Sequence, residues 1–328
     1  MKKVLIIVFT LAIGAIFAQP KFSSINSMPG AFSRMGFGAR GMGMGNAMSA
    51  VTEGNLVSYY NPAVIIYQKD NLVQTSYSFL SLDRSLNFLN FTRKFDFHSS
   101  KDASQKSSAG ISAGIINSGV GKIDERDGND IKTGELSTSE NQFFLAIAKS
   151  FSDKLSIGVE IKFYYYKLYQ GISASAFGLD IGALYKINEQ FNVSFVISDI
   201  NSKYKWDSAP IYGLDGISPI DNFPNLRKVG ISYSNKELGL LTSIELENSN
   251  AQSNILRAGV EYNVFDKVYF RGGIDQFNLS NSDQPPKPTL GLSFIQNFGN
   301  IDLGVDYAFV IEQYSPQDRH IVGINVIF

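Results

Sequence analysis

Titratable residues two or four positions apart are the first candidates for chemistry in this sequence of 328 residues. In a β-strand, such spacing puts both side chains on one face. Acid–base catalysis would also need a nucleophile or reacting group beside them, and the sequence brings none. We therefore predict no catalytic residue. We place these side chains on inward faces of strands, where they pair with each other or with a neighbouring segment, or are simply hydrated. They are Glu160, Lys162, Arg257, Glu261, Arg271, Asp275, Asp302 and Asp306.

Metal centres and nucleic-acid binding have little support in the composition. The chain has no cysteine, and His98 and His320 are its two histidines, so thiol chemistry, disulfides and histidine-rich metal sites are poorly supplied. The formal net charge of −1 provides no basic surface for nucleic acid. We expect no cofactor and no nucleic-acid partner.

One acidic cluster contains the hard oxygen ligands that calcium prefers. The EF-hand spacing fails, because Ile123 would occupy the first ligand position relative to Gly128. We interpret the cluster as a solvated external loop and predict no metal site. Its acidic members are Asp124, Glu125, Asp127 and Asp130.

Glycine and methionine alternate between Gly38 and Gly45, near the N-terminus. A phosphate-binding loop would follow a strand and continue into Gly-Lys-Ser or Gly-Lys-Thr, and neither context is present. Glycine permits close approach of backbones in a confined space, and methionine fills irregular gaps. We predict that this stretch plugs or gates a lumen, and that Arg40 pairs with Asp302 or Asp306. The predicted plug residues are Arg40, Gly41, Met42, Gly43, Met44, Gly45, Tyr60, Asn61 and Pro62.

From Leu72 to the C-terminus, apolar and polar residues alternate with a period of two, which indicates strands with one apolar face. Most runs have about ten residues, the length that a tilted strand needs to cross a bilayer. We count fourteen runs and predict an all-β fold, a 14-stranded antiparallel transmembrane β-barrel. The runs begin near Leu72, Leu86, Ser107, Ser139, Lys154, Ile172, Gln190, Asn225, Glu237, Ser253, Asp266, Pro288, Asn300 and Asp318.

The connections between these runs alternate in length, as in outer-membrane barrels with short periplasmic turns and longer external loops. Long external connections are predicted at residues 118–138, 199–224 and 276–287. Residues 96–106 form a longer inner connection that this scheme does not explain. A soluble β-sandwich would also alternate, but its polar face would be dense in Lys and Glu. Here the polar face is mostly Gly, Ser, Ala and Asn, which favours a packed or narrow lumen.

The N-terminus has the pattern of a secretory signal peptide. Lys2 and Lys3 precede an apolar run from Val4 to Phe17, and Ala18 stands before the expected cleavage site. The apolar run is shorter than the roughly twenty residues that span a bilayer as a helix. At the other end, alternation continues to a terminal Phe328, the usual ending of an outer-membrane barrel. We predict a signal peptide at residues 1–18, a plug segment at 19–70, a barrel at 71–328, and location in the bacterial outer membrane.

Aromatic residues cluster in the longest predicted external loop. They could contact a protein or a lipophilic ligand, or fold the loop over the mouth, and the sequence leaves this open. A second group, near a strand end, is most simply an interfacial girdle. The loop group contains Tyr204, Trp206, Tyr212 and Phe223, and the girdle group contains Tyr164, Tyr165, Tyr166 and Tyr169.

The stretch from Gly38 to Gly45, together with Tyr60-Asn61-Pro62-Ala63, resembles the N-terminal signature of the PorV/PorQ family. That family belongs to the wider superfamily of the FadL long-chain fatty acid transporter. Val64 departs from the signature, since the family commonly has glycine there. The resemblance implies a fourteen-stranded barrel whose N-terminal segment lies inside the lumen.

The resemblance also implies one of two roles, and the sequence does not decide between them. The first is a component of type IX protein secretion, with secreted proteins or other secretion components as partners. The second is a channel for hydrophobic small molecules that the N-terminal segment gates. A binding role should use the external loops, whereas transport should use an apolar lumen or a lateral opening. In both, outer-membrane lipid surrounds the barrel, and we predict that the protein is not an enzyme.

Overall fold

The computed structural model describes residues 24–98 and 106–328. The predicted signal peptide, residues 1–18, lies outside these ranges, as does most of the inner connection at residues 96–106. Within the two described ranges, no helix is long and apolar enough to cross a membrane.

Sixteen strands account for most of the described chain. Fourteen form the wall of a barrel, and β8 and β9 are short strands of an external loop. Their bounds are β1 Leu72–Phe79, β2 Arg84–His98, β3 Lys106–Arg126, β4 Lys132–Ser150, β5 Leu155–Tyr169, β6 Ile172–Lys186, β7 Phe191–Ile200, β8 Lys203–Lys205, β9 Ile220–Asn222, β10 Leu226–Asn235, β11 Leu240–Ser249, β12 Asn254–Phe265, β13 Val268–Asn278, β14 Lys287–Asn297, β15 Asp302–Val310 and β16 Arg319–Ile327.

The wall is a closed antiparallel barrel. Wall strands that follow one another in the chain are hydrogen-bonded neighbours, and β7 pairs with β10 across the external loop. The first and last strands pair along their whole length, from Leu72 opposite Ile327 to Phe79 opposite His320. Closure removes unpaired strand edges, which lipid could not hydrogen-bond. The predicted fold class is confirmed.

Burial alternates along the wall strands, as the period-two pattern predicted. Inward side chains are buried, whereas outward ones are large, apolar and exposed. Ile161, Phe177 and Leu290 are 56%, 69% and 62% exposed. Soluble proteins rarely expose so much contiguous apolar surface, and an apolar outer band is the lipid-facing feature of membrane barrels.

The connection predicted at residues 118–138 is mostly strand. Because β3 continues to Arg126 and β4 begins at Lys132, the turn is only residues 127–131. The predicted solvated acidic loop is therefore the tip of an ion-paired hairpin, in which Asp124 lies 2.8 Å from both Arg126 and Lys132. The hydrogen bond to Asp124 raises the pKa of Lys132 to about 12.

Residues 24–70, which we call the N-terminal segment, form no strand. Nearly all side chains between residues 37 and 66 are buried. The segment contains four short helical elements: α-helices at Ser24–Ser27 and Gly38–Gly43, and 3-10 helices at Phe32–Arg34 and Pro62–Tyr67.

The N-terminal segment lies inside the barrel and begins at the external mouth. There, the Arg319 guanidinium donates a hydrogen bond of 3.1 Å to the Met35 carbonyl. Further along the segment, Asn46 Nδ2 lies 2.9 Å from Asp275 Oδ2 of β13. At the inner end, the Lys186 ammonium lies 4.0 Å from the centroid of the Tyr67 ring. The segment thus runs the length of the lumen before the chain enters β1.

The helix Gly38–Gly43 ends just before Gly45, a glycine that can adopt the left-handed backbone conformation. The Gly45 N–H donates to the Met42 carbonyl, and the Asn46 N–H donates to the Gly41 carbonyl at 2.8 Å. This is the Schellman ending of a helix, which places glycine in the left-handed region. Gly45 has a φ of +60°. The turn directs the chain across the lumen towards β10 and β11.

Candidate functional site

Backbone contact joins the N-terminal segment to the wall. A Cβ on Gly43 would lie 3.0 Å from the Cα of Gly291, so the two backbones touch. A Cβ on Gly41 would collide with the Tyr60 ring, within the segment itself. The wall provides matching small residues, because glycine stands at inward positions that the segment crosses. These wall glycines are Gly110, Gly158, Gly182, Gly230, Gly259, Gly273 and Gly291.

Arg40 fixes the segment to the wall through a two-pronged ion pair. Its Nε and Nη2 each lie 2.8 Å from a carboxylate oxygen of Glu261. Its Nη1 donates to the carbonyls of Glu53, at 2.8 Å, and Asn55, at 3.1 Å. Bidentate Arg–carboxylate geometry is both strong and directional. Arg40 thus connects the helix Gly38–Gly43 and the turn at residues 53–55 to β12.

The two carboxylates that the sequence analysis assigned to Arg40 have other partners, so that pairing is wrong. Asp306 is buried and accepts a hydrogen bond of 2.6 Å from Asn325. Asp302 is half-buried at the inner rim and accepts one of 2.6 Å from Asn297. Alternation fixes which face a side chain is on, but it does not say which strand lies across the lumen.

The inward charges that the sequence analysis grouped along single strands pair with residues of the neighbouring strand. Arg257 Nε lies 2.8 Å from Asp275 Oδ1, and Arg271 Nε bonds to Glu261. Residues four apart in one strand are about 13 Å apart, whereas residues opposite each other on adjacent strands are about 5 Å apart. Glu261 stands directly opposite Arg271 in the β12–β13 register. Cross-strand pairing therefore prevails.

Arg257 also forms ion pairs with two acidic residues that the sequence analysis did not select. Its Nη1 lies 3.4 Å from Glu245 and 3.1 Å from Glu247, both inward on β11. Glu245 additionally accepts the Ser49 N–H at 3.1 Å. Both glutamates could have been found, since they alternate with the outward Ile244 and Leu246. The side of the lumen formed by β10–β15 is thus charged and bonded to the N-terminal segment.

A second charged group surrounds Lys162. The Lys162 ammonium lies 2.7 Å from Asp180 and 3.4 Å from Asp199, and the Tyr164 hydroxyl donates to Asp199 at 2.6 Å. Glu160 is fully buried nearby, and no ion pair joins it to Lys162 within the described residues. Asp199 is next to last in β7, and both it and the adjacent Ser198 are buried, so alternation is broken there and no sequence signal marked it. Among the described residues, no acidic or histidine group is arranged to hold a metal ion.

The side of the lumen formed by β2–β6 carries most of the aromatic side chains, beside the buried charges of Glu160, Lys162 and Asp180. The Phe37 ring of the N-terminal segment packs against Phe88 at a centroid distance of 4.8 Å, Phe144 at 6.0 Å and Tyr59 at 5.5 Å. Offset and edge-on aromatic packing of this kind adds to the stability that burial provides. Other buried apolar wall residues here are Leu86, Ile116, Ala174, Ala176 and Leu184.

Tyr164 belongs to this aromatic lining, so its assignment to an interfacial girdle is wrong. Its ring is fully buried and lies 4.7 Å from Phe223 and 6.4 Å from Phe32 between centroids. The neighbouring Tyr165 and Tyr169 point outward and are 40% and 39% exposed, which suits a girdle. Adjacent residues of one strand face opposite sides, so four close tyrosines could not share one role.

The external loop folds its aromatic residues over the mouth. The Trp206 ring lies 5.4 Å from Tyr166 and 5.7 Å from Tyr204, and Tyr204 lies 4.9 Å from Phe223, all between centroids. Tyr212 stands apart and is 63% exposed. The structure therefore brings Tyr204 and Trp206 together with the lumen lining and leaves Tyr212 at the surface.

The cavities show that the lumen is closed in its middle. A polar vestibule of about 1010 Å³ opens at the inner end, below Arg40 and Glu261. Cavities beside Tyr60 measure only about 10 and 20 Å³. A further cavity of about 600 Å³ lies on the lipid-facing side of β10–β13. The wall behind it is continuous, because Gly259 still pairs with Gly273.

Comparisons with known proteins place the fold. No protein-family model matches the chain, and no curated protein matches it in sequence. Among solved structures, the Ralstonia pickettii toluene transporter TbuX aligns with a TM-score of 0.57 and 14% identity, over 89% of this chain and 97% of that one. The Pseudomonas putida toluene transporter TodX gives 0.54 and 12%, over 89% and 96%. A Pseudomonas aeruginosa FadL homologue gives 0.54 and 10%, over 89% and 98%.

The fold is FadL-like. Identities this low establish the fold alone. They agree with the barrel fold that the sequence-based resemblance implies, but they do not support its PorV/PorQ level or a role in type IX secretion. The closed wall and its apolar exterior place this FadL-like barrel in the bacterial outer membrane, as predicted.

Proposed function

We propose that this FadL-like barrel is a channel for hydrophobic small molecules and that the N-terminal segment is its gate. The observation that carries the proposal is the aromatic lining, which begins at Trp206 in the external loop. It continues through Tyr204, Phe223 and Tyr164 to Phe32 of the N-terminal segment, with successive centroids no more than 6.4 Å apart.

An aromatic lining suits apolar solutes and disfavours ions and sugars. Channels that conduct water and hydrophilic solutes have polar interiors. In this barrel, the charged side chains of β10–β15 are engaged by each other and by the N-terminal segment. On the other side, Lys162 is paired with Asp180 and Asp199, and the aromatic rings of β2–β6 offer apolar surface. An apolar solute would exchange its contacts with water for contacts with these rings.

The N-terminal segment is the part that must move. It fills the space between the aromatic mouth and the inner vestibule, and its contacts with the wall are ion pairs, hydrogen bonds and close glycine contacts. The 3-10 helix Pro62–Tyr67 packs against the strands of the aromatic side. Displacement of the segment from that side would connect the mouth to the vestibule. The predicted plug and gating residues 40–45 and 60–62 are its central part.

The names of the similar structures agree with this proposal, since TbuX and TodX are toluene transporters. The secretion role stays a prediction. It would use exposed external loops, but Tyr204 and Trp206 turn inward and pack on the lining.

The test is uptake through the outer membrane of cells that lack other channels of this fold. Cells carrying the barrel should accumulate labelled toluene several-fold faster than cells with an empty vector. Uptake of a labelled pentose, the polar control, should not change. Faster pentose uptake with unchanged toluene uptake would overturn the proposal.

A further inference from the structure

A cavity of about 160 Å³ lies at the external mouth, between the ends of β1, β14 and β16. Met35 of the N-terminal segment and Leu80 contribute apolar surface. The charged lining residues are Arg84, Lys287, Glu312, Asp318 and Arg319, which carry one net positive charge. Protein cavities of roughly 150 Å³ hold one benzene molecule. The cavity therefore has room for a single aromatic ring beside charged groups.

Arg319 has one donor without an acceptor. Its Nη2 lies 2.6 Å from Glu312, and its Nη1 donates to the Met35 carbonyl at 3.1 Å. Its Nε has no hydrogen-bond partner in the described part of the chain, although the residue is only 5% exposed. Buried donors are nearly always satisfied in native proteins. A ligand with an acceptor group would complete this site.

The charge of the site favours an anionic acceptor. Lys287 Nζ lies 2.6 Å from Glu312, so two cations share one carboxylate. Burial would raise the pKa of Glu312, but Arg319 and Lys287 outweigh it and hold that pKa below its ordinary value. The carboxylate is therefore already ionised at neutral pH, and Lys287, Glu312 and Arg319 together carry one net positive charge.

We infer that this cavity is a binding site for monoaromatic carboxylates of benzoate size. The ring would lie against Met35 and Leu80, and the carboxylate would accept from Arg319 Nε. Methionine sulfur makes favourable contacts with aromatic rings, and Arg–carboxylate bonds are strong. A role for this site in capturing substrates of the channel rests on the proposed function. Binding of the carboxylate itself depends only on the cavity and on the unpaired Nε of Arg319.

The position of Met35 connects the site to the gate. Arg319 holds the N-terminal segment through the Met35 carbonyl, and the inferred ligand would bind the same guanidinium. An occupied site would therefore compete for the group that fixes the outer end of the segment.

The test is binding of 4-fluorobenzoate to the purified barrel, followed by fluorine NMR, with 4-fluorotoluene as the neutral analogue. We expect 4-fluorobenzoate to bind at least ten-fold more tightly than 4-fluorotoluene. Arg319→Met should remove this preference. Gln317→Trp, which fills the cavity from its exposed rim, should weaken the binding of both compounds. Lys122→Met removes a cation from an exposed external position and should change neither affinity. Heat-modifiable migration on gels checks that each variant is assembled.

Two outcomes overturn the inference: equal affinities for the two compounds in the unsubstituted barrel, or an unchanged preference in Arg319→Met. The transport assay separates this failure from failure of the proposed function. Toluene uptake without selective 4-fluorobenzoate binding would leave a channel that lacks this site. Selective binding abolished by Arg319→Met, without uptake of toluene, would support the site and contradict the channel.

Discussion

Arg40 holds the N-terminal segment against the barrel wall through noncovalent contacts of one side chain. Its bidentate pair with Glu261 is buried, so removal of one partner leaves polar groups without compensation. Such a loss typically costs about 3–5 kcal/mol. Glu261 keeps Arg271 as a second partner, which should reduce the loss here.

We therefore expect Arg40→Met to destabilise the closed position of the segment by about 2–3 kcal/mol while the barrel stays assembled. Hydrogen exchange at residues 38–55 should become faster, and single-channel leak should rise. Lys122→Met is the matched control, because it removes a cation from an exposed pair worth at most about 1 kcal/mol. Equal exchange rates in Arg40→Met and the unsubstituted barrel would contradict the role of Arg40.

Gly43 tests the close contact between the segment and the wall. Tryptophan at Gly43 cannot fit beside Gly291 and should cost about 1–3 kcal/mol through overpacking. The variant should keep heat-modifiable migration but leak more in planar bilayers. Gly128→Trp is the control, since a Cβ at Gly128 has no atom within 4 Å. The same low leak in both variants would show that the contact at Gly43 does not close the lumen.

The sequence predicted the role of single residues more readily than it predicted which residues they contact. Repeated glycine and methionine indicated tight packing at residues 41–45, and the structure shows backbone contact there. The partner of Arg40 could not be predicted, because Glu261 is 221 positions away in the chain. Only the barrel register and the path of the segment bring the two together.

At the scale of elements, the strands were predictable because lipid and lumen impose opposite demands on alternate residues. The alternation of apolar and polar residues is lost in the parts of the strands that extend beyond the membrane. The outer parts of β3 and β4 have polar residues on both faces, so residues 118–138 appeared as a loop although they continue the strand pairing. The helix Gly38–Gly43 was also missed, because glycine is a poor helix former. Packing and the Schellman ending hold it.

Lysine substitutions test which face of a strand meets lipid. Val305→Lys puts a charge on the outward face and should cost about 2–4 kcal/mol near the midplane. Asn263→Lys points into the inner vestibule and should cost much less. Urea unfolding of the refolded barrel in lipid vesicles measures both. Similar losses would mean that inward and outward faces are assigned wrongly.

Ser156 is an inward position where lysine should not be tolerated. Ser156 is fully buried in the closed lumen, and β5 packs against the helix Pro62–Tyr67. Lysine there should therefore disturb the segment, which is why Asn263 is the better inward position.

At the scale of the whole molecule, the lumen has two unlike sides with the N-terminal segment between them. Alternation and the N-terminal signature predicted a barrel and an internal segment. They did not predict that most inward charges lie on β10–β15, while the aromatic rings lie on β2–β6 beside the Lys162 group. That division depends on the order of strands around a closed wall. It allows the segment to be bonded on one side while it covers an apolar surface on the other.

The central claim is that the N-terminal segment must move for hydrophobic molecules to cross, and a reversible tether tests it directly. Ser49 Oγ of the segment lies 2.9 Å from Ser194 Oγ of β7, so cysteines at these two positions would place their sulfur atoms next to each other. The chain has no cysteine of its own that could compete for the tether. The control pair is Ser249 and Ser253, whose hydroxyls lie 2.7 Å apart within one external turn.

The measurement is toluene uptake by cells carrying Ser49→Cys with Ser194→Cys, before and after reduction. We predict that the oxidised tether reduces uptake at least ten-fold, that a reductant restores it, and that Ser249→Cys with Ser253→Cys shows neither change. Equal uptake by the oxidised and reduced tethered barrel would contradict the account.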